Sequence, residues 1–116
     1  MARDDPGVLA IVAVVLAYFG EDLGAMMALV DRALVLNPSF ALGWFFSGQI
    51  RRWAGDLDTA IAHGETALRL NPRGHIHWPL YLIGSALASS RRFEEAIPKL
   101  LLAIENDESA ASPIAG

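Results

Sequence analysis

Apolar positions recur along this chain in six runs of helical length: Val8–Phe19, Leu23–Leu36, Phe40–Ala54, Leu57–Leu70, about Ile76–Ser90 and Phe93–Asn106. Short polar, glycine or proline steps separate them, which predicts helices and no strands. Asp22 and Asp56 stand directly before the second and fourth runs, where a carboxylate can accept from the free N–H groups of a new helix. Asn37-Pro38 and Asn71-Pro72 close those same runs, because the residue before a proline is pushed out of the helical region. Gly24 weakens its helix by about 1 kcal/mol relative to alanine. Gly64, in mid-run, predicts a close backbone approach or a small void. Pro79 falls in a first turn and is tolerable there, whereas Pro98 lies inside the last run and predicts a bend or a late start. Residues 109–116 have no periodicity and are expected to form a loose tail.

The runs pair, and the pairs repeat. In the central unit, Ala41 to Pro72, two helices fold back on each other around small residues, and Trp44, Gly48, Leu57, Ala60, Ala67 and Pro72 mark it. A shift of 34 residues towards the N-terminus gives Leu23, Met26, Ala33 and Pro38, with Val14 in place of the small Gly48. A shift of 36 towards the C-terminus gives Leu80, Gly84, Phe93, Ala96 and Ala103, with Glu108 where the other units have proline. The third unit therefore carries about two extra residues between Arg73 and His77. This pattern, a W-x2-x-G start, an alanine in the second helix and a closing proline, resembles the tetratricopeptide repeat family. The resemblance implies an all-α, right-handed α-solenoid of three helix-turn-helix repeats in a single domain, residues 1–116, with units at about 7–40, 41–74 and 77–108. The physical sense of the pattern is that antiparallel helices approach closely only where side chains are small, here Gly48 against Ala60.

Composition adjusts this picture in three places. The hydrophobic fraction of 53% is high for a domain of this size, and a repeat array uses that surplus because each pair needs apolar faces for both neighbours. A net charge of −4 argues against nucleic acid, whose phosphates demand a basic surface. The apolar run Val8–Phe19 is too short for a membrane span, which needs about 20 residues, and Arg3 followed by Asp4 and Asp5 makes it a poor secretory signal. With no cysteine, disulfides and thiolate metal sites are excluded.

Candidate chemistry is sparse. His75-x-His77 offers two nitrogens to a metal, but a third and fourth ligand are wanting, and solvent-facing loop histidines are the expected reading; neither metal nor cofactor is expected. Asp56 with Asp58, and Glu94 with Glu95, look like acid–base pairs, yet both pairs begin a second helix, where the helix dipole and free N–H groups favour acids. No Ser, His and Asp arrangement stands out as a triad, and the glycines form no phosphate-cradling motif, so no enzyme is expected.

What the resemblance implies instead is a concave groove lined by the first helix of each pair. On the family's pattern its inward-facing residues would be Val8, Ile11, Val15 and Tyr18, then Leu42, Phe45, Gln49 and Arg52, then Trp78, Tyr81, Ser85 and Ala88. Aromatics and arginine concentrate binding energy at interfaces. Phe45 and Trp78 are equally suited to packing against the next repeat. The family subgroup that grips a terminal carboxylate carries Lys and Asn where this chain has Ile11, Val15 and Phe45, so an extended acidic C-terminus is not the expected ligand. The expectation is a non-catalytic cytoplasmic module that binds a protein or peptide partner. The stretch from Arg32 to Pro72 resembles repeat regions of bacterial nucleotide-cyclase and transcriptional-regulator signalling proteins, which implies a regulatory or scaffolding segment. A structural segment that self-associates through its terminal helices into a homodimer is the alternative.

Overall fold

The computed structural model describes residues 22–107. Among them the chain forms five α-helices and no strand: α1 (Leu23–Leu36), α2 (Ala41–Trp53), α3 (Leu57–Leu70), α4 (His77–Ser89) and α5 (Phe93–Glu105). The Val8–Phe19 run, with Ile11 and Tyr18, and the 109–116 tail lie outside the described residues.

Local chemistry places most helix ends. The Asp22 carboxylate accepts from the Gly24 N–H at 2.8 Å, and that of Asp56 from the Thr59 N–H at 3.4 Å, each engaging a donor that the first turn leaves unpaired. The Asn37 and Asn71 N–H groups close the last turns of α1 and α3 on Ala33 and Ala67, and the following prolines stop propagation. Residues 37–40 join α1 to α2, whereas 71–76 join α3 to α4, six residues against four. Pro79 is the third residue of α4, where no intrahelical N–H is required. Pro98 sits within α5, yet the helix starts at Phe93 and runs unbroken, so the late start does not occur. Buried Ala96 and Ala103, with Leu100 packed over Gly84 on α4, hold α5 against its partner helix on both sides of the proline, so the helix continues although Pro98 has no N–H to donate.

α2 with α3, and α4 with α5, form antiparallel hairpins that stack through α3 and α4, while α1 packs on α2. This is an all-α helical repeat solenoid. The close approaches occur at the glycines: a Cβ on Gly48 would lie 3.0 Å from the Ala60 carbonyl oxygen and 2.6 Å from Leu82 Cδ2. One on Gly64 would lie 2.7 Å from Ile83 Cγ1, so that position is a tight contact between hairpins. The core divides accordingly. Met26, Val30, Leu34 and Ile50 fill the space between α1 and α2, and Ala60, Ile61, Leu82, Ile83, Ala86, Leu87 and Ala96 fill that between the hairpins. Each fully buried Ile or Leu contributes about 1.5–3 kcal/mol through area removed from water.

Equivalent repeat positions do not all do equivalent work. Leu57 packs against the inter-hairpin core, whereas Phe93, its counterpart 36 residues on, is 55% exposed. The packing role that the repeat pattern assigns to Phe93 is not filled, because α4 stacks on α3 but no described element stacks on α5. None of the described helices is long and apolar enough to cross a membrane.

Candidate functional site

Phe45, Gln49 and Arg52 recur every three or four residues on α2, and Trp78, Tyr81 and Ser85 do the same on α4, so each triplet lies along one helix face. The hairpin stack brings the two faces together. All six residues, with buried Leu82, line a single cavity of about 120 Å³. The Phe45 and Trp78 rings lie 6.0 Å apart and are tilted by 32°, and the Arg52 Nε donates to Gln49 Oε1 at 3.2 Å. The cavity thus joins aromatic walls to an amide, a guanidinium and a hydroxyl, a set able to seat an apolar side chain and hydrogen-bond the adjacent backbone.

Leu42 lies apart from this cavity. It lines a neighbouring one of about 190 Å³ with Ala41, Ala67, Asn71, His75, Trp78 and Pro79. Trp78 is the shared wall, and the His75 ring stacks on it at 5.4 Å and 24°. The residues assigned to packing lie mostly inward: Gly48, Ala60, Ala67, Gly84, Ala96 and Ala103 are buried, Trp44 and Leu57 are half-buried, and Pro72 is exposed in the turn.

The histidines depart from the sequence expectation, for only His75 is exposed. His77 begins α4 and is buried beside His75, Trp78 and Tyr81, with its Nδ1 unpartnered. His63 is half-buried on α3, and its Nδ1 lies 2.8 Å from the Ser47 hydroxyl on α2. Arg51 Nη1 donates to that same hydroxyl, and Arg51 Nη2 donates to both carboxylate oxygens of Asp31 on α1 at 3.2 Å. Burial holds His63 below its ordinary pKa, and the Arg51 guanidinium acts in the same direction. This chain across three helices was missed in the sequence. Its one signal is that Ser47 adjoins Gly48 and His63 follows Ala60 by one turn, so the crossing of α2 and α3 must bring them together. Ser47 is completely buried.

The acid pairs serve helix starts. Asp56 caps α3, and Glu95 accepts from Arg92 through both oxygens, at 2.8 and 3.1 Å. No group of three or more potential metal ligands occurs among the described residues.

Comparison with known proteins places the architecture. No protein-family model and no curated protein matches the sequence. Two crystal structures of MamA are similar in fold, with TM-scores of 0.76 and 0.78, 21% identity and 94% of this chain covered. The crystal structure of YrrB, described as a TPR protein with an unusual peptide-binding site, is similar at a TM-score of 0.76 and 25% identity over 91% of this chain. This chain spans 58%, 62% and 53% of those three chains.

Proposed function

We propose that this chain is a non-catalytic protein-interaction module of the tetratricopeptide type, which takes an extended segment of a partner protein in the groove between α2 and α4. One observation carries the reading: side chains from two successive first helices, Phe45, Gln49 and Arg52 with Trp78, Tyr81 and Ser85, converge on one cavity. The description of YrrB as a peptide-binding TPR protein supports the same class of ligand. Ile11 and Tyr18 would extend the groove along the first repeat. The resemblance of the stretch from Arg32 to Pro72 to bacterial signalling proteins supports a regulatory or scaffolding segment of a larger cytoplasmic protein, in which any catalysis lies outside these residues.

Affinity capture from source-cell lysate tests it, comparing the natural chain with a Gln49→Ala, Arg52→Ala double variant of verified fold and oligomeric state. A partner retained by the first and lost by the second supports the groove. Equal retention by both overturns it.

A second reading, self-association, is favoured by the outer face of α5. Phe93, Ile97, Leu101 and Ile104 are spaced by four, four and three residues and fall on one arc of the helix. Each is more than half exposed. Their partial counterparts on α3, Leu57 and Ile61, are covered by the next hairpin, so a second copy of this chain would supply the missing cover as a homodimer. A mass that stays monomeric by light scattering as concentration rises would eliminate it.

A further inference from the structure

A second face of α2, turned from the groove, also carries a depression. Trp44 and Arg51 lie roughly 110° round the helix axis from Phe45, Gln49 and Arg52. There, at the junction of α1, α2 and α3, a depression of about 400 Å³, broadly open to solvent, is lined by Leu34, Val35 and Trp44 on its apolar side and by Asp31, Arg51 and His63 on its polar side. Both sides are held in place. The Trp44 indole N–H donates to the Pro38 carbonyl at 2.8 Å, and the ring meets His63 edge-on at 4.9 Å. Arg51 is tied at one end to buried Ser47 and at the other to Asp31.

The hydrogen-bond chain favours one His63 tautomer. An arginine only donates, so the Ser47 oxygen accepts from Arg51. Its own proton is fully buried, and His63 Nδ1 is the acceptor beside it among the described residues; placing the imidazole proton on Nδ1 instead would leave that hydroxyl proton buried and unpaired. The proton of neutral His63 is then on Nε2, a donor. With Arg51 and Asp31 cancelling, the polar wall is neutral overall yet offers donors from His63 and Arg51 and an acceptor from Asp31. A carboxylate would meet Asp31 and a cation would meet Arg51. A peptide unit meets neither difficulty, since it supplies one carbonyl and one N–H without charge. We infer that this outer cavity is a second binding site, which takes an apolar side chain of an extended partner segment together with its adjoining uncharged peptide unit. The side chain sits on Trp44, Leu34 and Val35, the carbonyl accepts from His63 or Arg51, and the N–H donates to Asp31. This inference is independent of the groove reading.

The probe is N-acetyl-phenylalaninamide, titrated at neutral pH into the nitrogen-15-labelled chain of 116 residues while the tryptophan indole N–H resonances are followed by NMR. Trp44 reports this cavity and Trp78 reports the groove. The expected result is a saturable shift of the Trp44 signal in the millimolar range that persists in a Phe45→Ala, Tyr81→Ala variant. Binding should weaken about tenfold in Val35→Asp, the change equivalent to one lost apolar contact. Val35 is 81% exposed, so that substitution leaves the fold intact, which the melting temperature verifies. Three results overturn the inference: no saturable shift at Trp44, binding unchanged in Val35→Asp, or N-acetyl-phenylalanine, which bears a free carboxylate, binding as tightly as the amide.

Discussion

Gly55 and Arg91 occupy the same place in successive hairpins, 36 residues apart, and both adopt left-handed backbone, with φ of 87° and 63°. Each turns the chain from a first helix into a second. Glycine takes this conformation freely, whereas the Cβ of arginine crowds the following carbonyl. Arg91→Gly is therefore expected to raise stability by about 1 kcal/mol, and Gly55→Ala to lower it by about 1 kcal/mol. Urea denaturation at unchanged slope reads both. A destabilised Arg91→Gly would mean that the arginine side chain holds the turn in some other way.

Gly48 is a point of close contact between α2 and α3. Its missing Cβ would lie 3.0 Å from the Ala60 carbonyl oxygen, a backbone atom that cannot rotate aside. Gly48→Ala should cost about 1–3 kcal/mol by overpacking, and Gly48→Leu should unfold or loosen the chain. Thermal melts followed by circular dichroism decide this, and a variant as stable as the natural chain would show that the hairpin has slack.

His63 makes stability depend on pH in a defined direction. Its pKa in the folded chain lies below the ordinary 6.5 because burial and Arg51 disfavour the imidazolium, although Asp31 and Asp56 oppose the shift. The unfolded chain therefore takes up a proton near pH 6.5 that the folded chain resists. Stability should be level above that pH, fall as pH drops below it, and stop falling from this cause once folded His63 is itself protonated. A His63→Gln variant should lose this part of the slope. Parallel stability–pH curves for the two chains between neutrality and mild acid would refute the assignment.

The exposed arc of α5 can be altered without touching the core. Ile97 and Leu101 are 56% and 55% exposed, so Ile97→Glu with Leu101→Glu should leave stability within about 1 kcal/mol. If the chain self-associates through this face, sedimentation of the natural chain shows dimers that the double variant lacks. Dimers that survive the substitution would place the contact elsewhere.

The helices were legible because their signals are local. Asp22, Asp56, Asn37-Pro38 and Asn71-Pro72 act on backbone groups within four residues, and α1 and α3 begin and end where those residues require. The spacing of Phe45, Gln49 and Arg52 likewise identifies one face of α2 without reference to any neighbour. Pro98 misled because its penalty is local, whereas the packing of Ala96, Leu100 and Ala103 against α4 that keeps the helix continuous is not.

Sequence by itself determined the five described helices, the pairing of α2 with α3 and of α4 with α5, and the small residues at which they cross, since periodicity, caps and side-chain size are properties of short stretches. Only the tertiary structure decided what meets across a crossing. Ser47 reaches His63, Arg51 spans to Asp31, His77 is buried while His75 is not, and Phe93 stands exposed where Leu57 is covered. Each of these depends on how one helix is rotated and stacked against another. That setting comes from close packing over the whole hairpin interface, which no single stretch of sequence contains.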